Sequence, residues 1–409
     1  MSTSASTRVE SEQHGTTARQ WLAIAVVVLS TFAVVTSEML PVGVLTPMAA
    51  GLGITPGLTG YSLTITGLVT AVTAPIVPRV IGGLDRRVVV AVAMVLLAVG
   101  NGLTAVSPGF TLLVVSRVVL GVAMGIVWSL ASVIAPRLVA PRHAALAVSF
   151  AVSGVAAASV VGVPLGTIIG DAFGWRIAFA TFAASGALLA VALRFLLPPL
   201  PKPESPTAGT AQAGERSLLR TPAVVSGLVV VAFLVTAHFA AYTYIRPVLE
   251  VGTGFGGAAI AAILLAYGLT GLVGNFTAGA QAARRPRATV LALALGIVVS
   301  IGVLASFNDS GVAAVVGVGV WGLAYGGLSV GGQLWMTQSA RGREEHVTGL
   351  YVGVFTASIA LGAFTGGTIY ETVGTSTLLW TAAALALAAL VAGVVGRGPL
   401  PGIGGSRVR

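Results

Sequence analysis

Long apolar runs follow one another along the chain, each near 20 residues and each closed by a short polar break. About 20 apolar residues span a bilayer's hydrocarbon core as a helix. On that measure the pattern predicts twelve helices in two sets of six. The first set lies near 21–46, 59–81, 88–106, 110–136, 144–170 and 176–198, and the second near 222–247, 257–281, 287–306, 311–335, 346–370 and 376–396. The stretch between the sets, 199–220, is rich in Pro, Ala, Thr, Gly and Gln, holds the only lysine, Lys202, and reads as a flexible linker. The expected organisation is therefore a tail (1–20), a six-helix bundle (21–198), the linker (199–220), a second bundle (221–396) and a tail (397–409). The fold class is all-α integral membrane, with twelve transmembrane helices in two pseudo-symmetric six-helix bundles.

Composition turns this pattern into a membrane assignment. Of 409 residues, 56% are hydrophobic and 8% charged, and the mean hydropathy is +0.97, whereas soluble domains are about 25% charged. The 54 glycines suit close helix packing in lipid. With no cysteine, disulfides and thiolate chemistry are excluded. The polar head carries acids beside Arg8 and Arg19, and the apolar run behind it is too long for a signal peptide, so an uncleaved cytoplasmic tail is expected.

Charge sets the orientation. With both termini in the cytoplasm, all of the 22 Lys and Arg except Arg117, Arg176 and Arg246 fall on the cytoplasmic side. This positive-inside bias accounts for the +10 net charge without a nucleic-acid partner. It places the protein in the cytoplasmic membrane as a multi-pass chain.

The halves repeat at an offset of 200: Pro47 with Pro247, Gly162 with Gly362, Gly166 with Gly366, Asp171 with Glu371, Gly174 with Gly374. Parallel repeats of this kind occur in secondary transporters. The offset carries Glu38 onto His238 and Arg117 onto Gly317, so the ionisable groups of the first half are not copied.

Those groups are the candidate chemistry. Glu38, in Ser37-Glu38-Met39-Leu40-Pro41, is the one carboxylate inside a span, and an ionisable residue in hydrocarbon is costly and usually functional. Arg117 in helix 4 needs a partner for the same reason. Counted from the outer ends of their helices, the two lie roughly 12 Å and 10 Å deep. They are expected to face each other, directly or through water, as a proton-coupling pair or as a structural clamp. A proton site at Glu38 follows from competition between burial, which disfavours the carboxylate, and the guanidinium, which favours it. His238 is a further candidate for proton sensing or substrate binding, or a histidine satisfied by a neighbour.

Tyr242, Tyr244, Trp321 and Tyr325 combine apolar faces with polar tips. They are candidates for stacking on a sugar or an aromatic drug, or for packing. Asn275 and Gln333, near the cytoplasmic ends of their helices, are candidate polar contacts. Gly162-Val163-Pro164-Leu165-Gly166 reads as a close-packing, bent segment of helix 5. No Walker sequence, metal motif or catalytic cluster occurs. The expected energy source is thus an ion gradient, with no cofactor and no enzyme activity.

In these passages the chain resembles the major facilitator superfamily. The likeness is most specific to the twelve-helix drug:proton antiporters of the arabinose and sugar efflux permease branch. It is carried by Ser37 to Gly43, Arg117 to Gly121, Gly162 to Gly166 with Gly174-Trp175-Arg176, His238 to Tyr242, Gly274-Asn275, and Trp321 to Gly327. The resemblance implies export by proton antiport and alternating access from a central cavity between the two bundles. It ties Arg117 and Glu38 to proton coupling and Gly162, Pro164 and Gly166 to the antiporter motif. It marks the loop holding Asp85 and Arg86 as gating. Three departures stand out: that loop is altered, its counterpart (279–285) has no Asp, and Thr356 stands where relatives often have Asn. The expected partners are protons, lipid and a small-molecule substrate, either a sugar-like metabolite or a drug, with the chain acting as a monomer. The alternative is a non-transporting membrane sensor.

Overall fold

A computed structural model describes residues 16–201 and 218–397, and these form helices joined by short turns, without a strand. The remainder of the polar head, the linker with Lys202 and the C-terminal tail beyond Arg397 lie outside the described residues. The chain divides into two units, Met1–Glu204 and Ser205–Arg409.

In the first unit, α1 spans Ala18–Leu52, α2 Pro56–Val80, α3 Arg86–Ala105, α4 Phe110–Ile134, α5 residues 144–173 and α6 Trp175–Leu196. The caps explain the boundaries. Thr17 and Gln20 form a reciprocal capping box, so α1 starts at Ala18 rather than Trp21. Thr55 caps α2 ahead of Pro56, and Asp85 caps α3. Helix α1 also runs past the expected 46 to Leu52, because a kink at Val44 (φ −122, ψ 21) accommodates Pro47. In α5 a π-helical turn, Ala158–Gly162, precedes Pro164, where the missing N–H loosens the ladder.

In the second unit, α7 spans Pro222–Tyr242 and is followed by a short helix, Ile245–Thr253. Then come α8 (Gly257–Ala282), α9 (Pro286–Ser306) and α10 (Gly311–Ser339, interrupted at Gly327). The last stretch, Glu344–Val395, is split at Gly374 (φ 85) into α11 (344–373) and α12 (375–395), which gives twelve spans among the described residues. Helix α7 ends short of the expected 247. The ring of Pro247 excludes the carbonyl four residues back, Thr243, and the break falls at Tyr244 (φ −106, ψ 16). This is the Val44 distortion again, 200 residues on. Gly174 (φ 93) and Gly374 (φ 85) form a second such pair, each with a backbone that side-chain-bearing residues rarely adopt.

Packing follows the same repeat. In the first unit α3 lies on α4 and α6, α2 on α4, and α1 on α5 and α6; in the second, α7 and α9 pack on the α11–α12 stretch and α8 on α10. Gly162 and Gly166 of α5 abut Thr36 and Leu40 of α1, while Gly362 and Gly366 of α11 abut Thr236 and Ala240 of α7. The partners are themselves 200 apart. Outward faces carry Leu68, Val72, Leu188, Phe195 and Phe276. Such faces suit hydrocarbon, and the backbone polar groups are satisfied inside the helices.

The loop after α2 is tied to the chain leaving α6. Asp85 Oδ1 accepts from the backbone N–H of Arg87 (2.9 Å) and of Leu200 (2.9 Å). The Arg86 guanidinium donates to the carbonyls of Leu84 (2.7 Å) and Gly82 (3.1 Å). The Arg137 guanidinium holds the Pro201 carbonyl at 2.8 Å. Of the two residues expected to gate, Asp85 thus ties the loop to the chain leaving α6, as does the Arg86 backbone N–H to the Leu200 carbonyl, while the Arg86 guanidinium holds the loop itself. Asp85→Ala should lower stability by about 1–2 kcal/mol, the usual loss of a cap together with an unsatisfied N–H. Thermal unfolding in detergent reads this out, and an unchanged melting temperature would dismiss the anchor.

Candidate functional site

Two buried clusters stand out, one in each unit. In the first, Arg117 of α4 is fully buried. Its Nη2 donates to Thr104 Oγ1 of α3 (2.7 Å) and its Nη1 to the Ser37 carbonyl of α1 (3.4 Å). The guanidinium lies 5.0 Å from the ring centroid of Phe179 in α6, a cation–π contact. Thr104 Oγ1 is in turn 2.9 Å from Ser116 Oγ, and Asn101 donates to Ser37 Oγ (2.9 Å). Arg117 therefore joins α1, α3 and α6 to its own helix.

Glu38, adjacent to Ser37 and only 3% exposed, forms no ion pair with Arg117. Among the described residues its Oε1 has no hydrogen-bond partner, nor do Arg117 Nε and Asn101 Oδ1. Of the two arrangements expected from equal depth, direct or through water, the direct ion pair is not formed among the described residues; Arg117 reaches the Ser37 backbone carbonyl, one residue from Glu38.

In the second unit, His238 is 1% exposed among rings. Tyr325 stacks on it at 3.4 Å (10°), Tyr242 at 4.9 Å (20°) and Tyr267 at 6.2 Å (19°). Trp321 stands edge-on at 5.4 Å (78°). His238 Nδ1 and Trp321 Nε1 are buried without hydrogen-bond partners among the described residues. The rings come from α7, α8 and α10, and Trp321 and Tyr325 share a helix face at four-residue spacing.

Three other candidates lie elsewhere. Tyr244 points to α11: its hydroxyl donates to the Ala363 carbonyl (3.0 Å) and its ring stacks on Tyr370 at 5.5 Å. Gln333 donates to Thr348 Oγ1 (2.6 Å), bridging α10 and α11. Asn275 is half-buried, two turns beyond Tyr267 on α8. Gly162 and Gly166 line the α1–α5 seam against Thr36 and Leu40, and Pro164 lies buried between them on α5. Sequence reasoning missed Tyr267, Asn101, Thr104 and Phe179. An amide alone in an apolar helix, as Asn101 is, was the one signal that could have been followed.

The sequence profile of the Major Facilitator Superfamily matches residues 27–363. The chain belongs to the Major Facilitator Superfamily. Within it, the chain is 31% identical to the purine ribonucleoside efflux pump NepI of Escherichia coli K12 over 373 residues, 91% of this chain and 93% of that pump. The same figures hold for NepI of Shigella dysenteriae. Among solved structures, the nucleoside transporter NupG superposes with a TM-score of 0.76 at 14% identity, covering 91% of this chain and 99% of that one. A bacterial homologue of the human lysosomal transporter Spinster, inward-facing and unoccupied, gives 0.73 at 14% identity, covering 93% and 98%. These superpositions establish the superfamily fold. The chain is a multi-pass membrane transporter of small molecules, not an enzyme.

Proposed function

We propose that this transporter exports a nucleoside-like small molecule from the cytoplasm, driven by protons moving inward. The observation that carries the coupling is the Glu38 carboxylate oxygen, buried without a partner beside the residue that holds Arg117. A carboxylate there is the group whose protonation and pairing can change together as the site opens to one side or the other. The substrate class rests on the 31% identity to purine ribonucleoside efflux pumps over nearly the whole chain. A nucleoside also joins the two alternatives raised by the residues, a sugar and a flat heteroaromatic ring. The positive-inside pattern puts both termini in the cytoplasm, and the protein works in the cytoplasmic membrane as a monomer.

The test is uptake of labelled inosine into inverted membrane vesicles, with and without an imposed pH gradient that is acid inside. Wild-type protein should concentrate inosine only with the gradient. Glu38→Gln should keep downhill exchange and lose the gradient-driven component. A Glu38→Gln transporter that still accumulates inosine against its gradient would remove Glu38 from the coupling.

A further inference from the structure

We infer that the aromatic cluster of the second unit is a base-recognition site, in which a purine ring inserts between His238 and Tyr325. This deepens the export reading and rests on it for the substrate class. Three observations converge. The rings of Tyr325, His238, Tyr242 and Tyr267 are nearly parallel, which is the arrangement that accepts one more planar ring by stacking. Two fully buried polar atoms there, His238 Nδ1 and Trp321 Nε1, have no partner among the described residues. A buried orphan polar group is costly. The Trp321 ring stands at 78° to His238, so its indole N–H can donate to an exocyclic oxygen or ring nitrogen on the edge of a purine stacked on the imidazole. A sugar alone offers the hydroxyls but not the face.

The third observation is mechanical. Both helices that carry most of the cluster are irregular next to it. Helix α7 leaves helical geometry between Tyr242 and Ile245, and α10 has a turn at Gly327, which keeps helical φ and ψ, two residues after Tyr325. Interrupted spanning helices mark substrate sites, because irregular backbone is tolerated at membrane depth only where protein or a cavity surrounds it. Insertion must widen the His238–Tyr325 spacing from 3.4 Å to about 7 Å, two aromatic contact distances. Tyr325 can yield this way. It is the half-buried member of a cluster whose other rings are buried, and it sits against the turn. His238 is then a stacking platform and Trp321 the edge reader, in place of the proton-sensing role open to His238 on sequence grounds.

The test uses full-length protein in lipid nanodiscs and measures equilibrium binding of labelled inosine. Unlabelled hypoxanthine should compete, and ribose should not, even at far higher concentration. Trp321→Phe, which keeps a ring and removes the N–H, should weaken inosine about fivefold to tenfold, the worth of one hydrogen bond. Tyr325→Ala should weaken it about tenfold or more, the loss of one stacking face, while Tyr325→Phe stays near wild type. Elution profile and melting temperature report whether each variant is folded, and the hypoxanthine-against-ribose comparison needs no variant at all. The inference is overturned if wild-type protein binds no inosine, if ribose competes as well as hypoxanthine, or if both weakening variants bind as wild type does. Base-dependent binding with no flux into vesicles would instead sink the export reading and leave the base site standing.

Discussion

Arg117→Ala should reduce pH-gradient-driven export by about two orders of magnitude, or ~2.7 kcal/mol at ~1.36 kcal/mol per decade, while inosine binding to the purified protein stays within a few-fold. The reasoning starts from burial. Arg117 is 0% exposed, and its charge is carried by Thr104, the Ser37 carbonyl and the Phe179 ring. Each contact belongs to a different helix, so the guanidinium sets how α1, α3 and α6 meet α4. Alanine leaves the Ser37 carbonyl and the surroundings of Glu38 without that charge, and under the proposed coupling the protonation of Glu38 is then no longer linked to how α1, α3 and α6 meet α4. Lysine is the informative second variant. It keeps the charge but not the planar fork, and one ammonium cannot serve contacts spread over three helices. Arg117→Lys should therefore export more than the alanine variant and clearly less than wild type. Equal loss of binding and flux in Arg117→Ala would mean that the hub is only structural.

Gly366→Val should prevent recovery of folded protein. A Cβ at Gly366 would meet the Ala240 carbonyl and lie 2.9 Å from the Ala240 Cα and the Tyr244 ring; at Gly362 it would lie 2.6 Å from the Thr236 carbonyl. Backbone, unlike the end of a flexible side chain, cannot step aside without moving α7. Overpacking of a close seam costs about 3 kcal/mol or more, a large part of a typical domain's stability. Gly349, on the same helix with nothing within 4 Å of a new Cβ, is the internal control. Gly349→Ala should be neutral or stabilising by up to ~1 kcal/mol, through helix propensity alone. Melting temperature and monodispersity in detergent decide, and a well-folded Gly366→Val protein would refute the seam.

The spans were legible in the sequence because lipid imposes a length and a composition on every one of them. Short-range chemistry set their ends: Thr17 with Gln20 at α1, Asp85 at α3, and Pro247, whose ring breaks the chain after α7 at Tyr244. The repeat was legible too, since Pro and Gly are read by position rather than by average. Side-chain pairing was not. Equal depth suggested that Glu38 faces Arg117, directly or through water, but depth does not choose the partner, and the guanidinium bonds the Ser37 backbone carbonyl and Thr104. Tyr267 was invisible for a related reason. A single tyrosine in an apolar helix looks like packing until α7 and α10 bring His238 and Trp321 against it. Tyr244 failed in the opposite direction: it is two residues from Tyr242 in sequence and on the far side of a helix break, so the two tyrosines serve different neighbours.

The duplicated kink at Val44 and Tyr244, with its pair of prolines and its matched glycine seams, is hardware kept in two copies. The buried Glu38 and Arg117 of the first half have no ionisable counterparts of the same kind at 238 and 317, where His238 and Gly317 stand, and among the described residues the stacked rings around His238 belong to the second unit. Under the proposed roles, drift in substrate range has one half in which to act while the coupling half stays untouched, and exchanging residues 238, 321 and 325 among relatives is the economical way to re-aim the transporter.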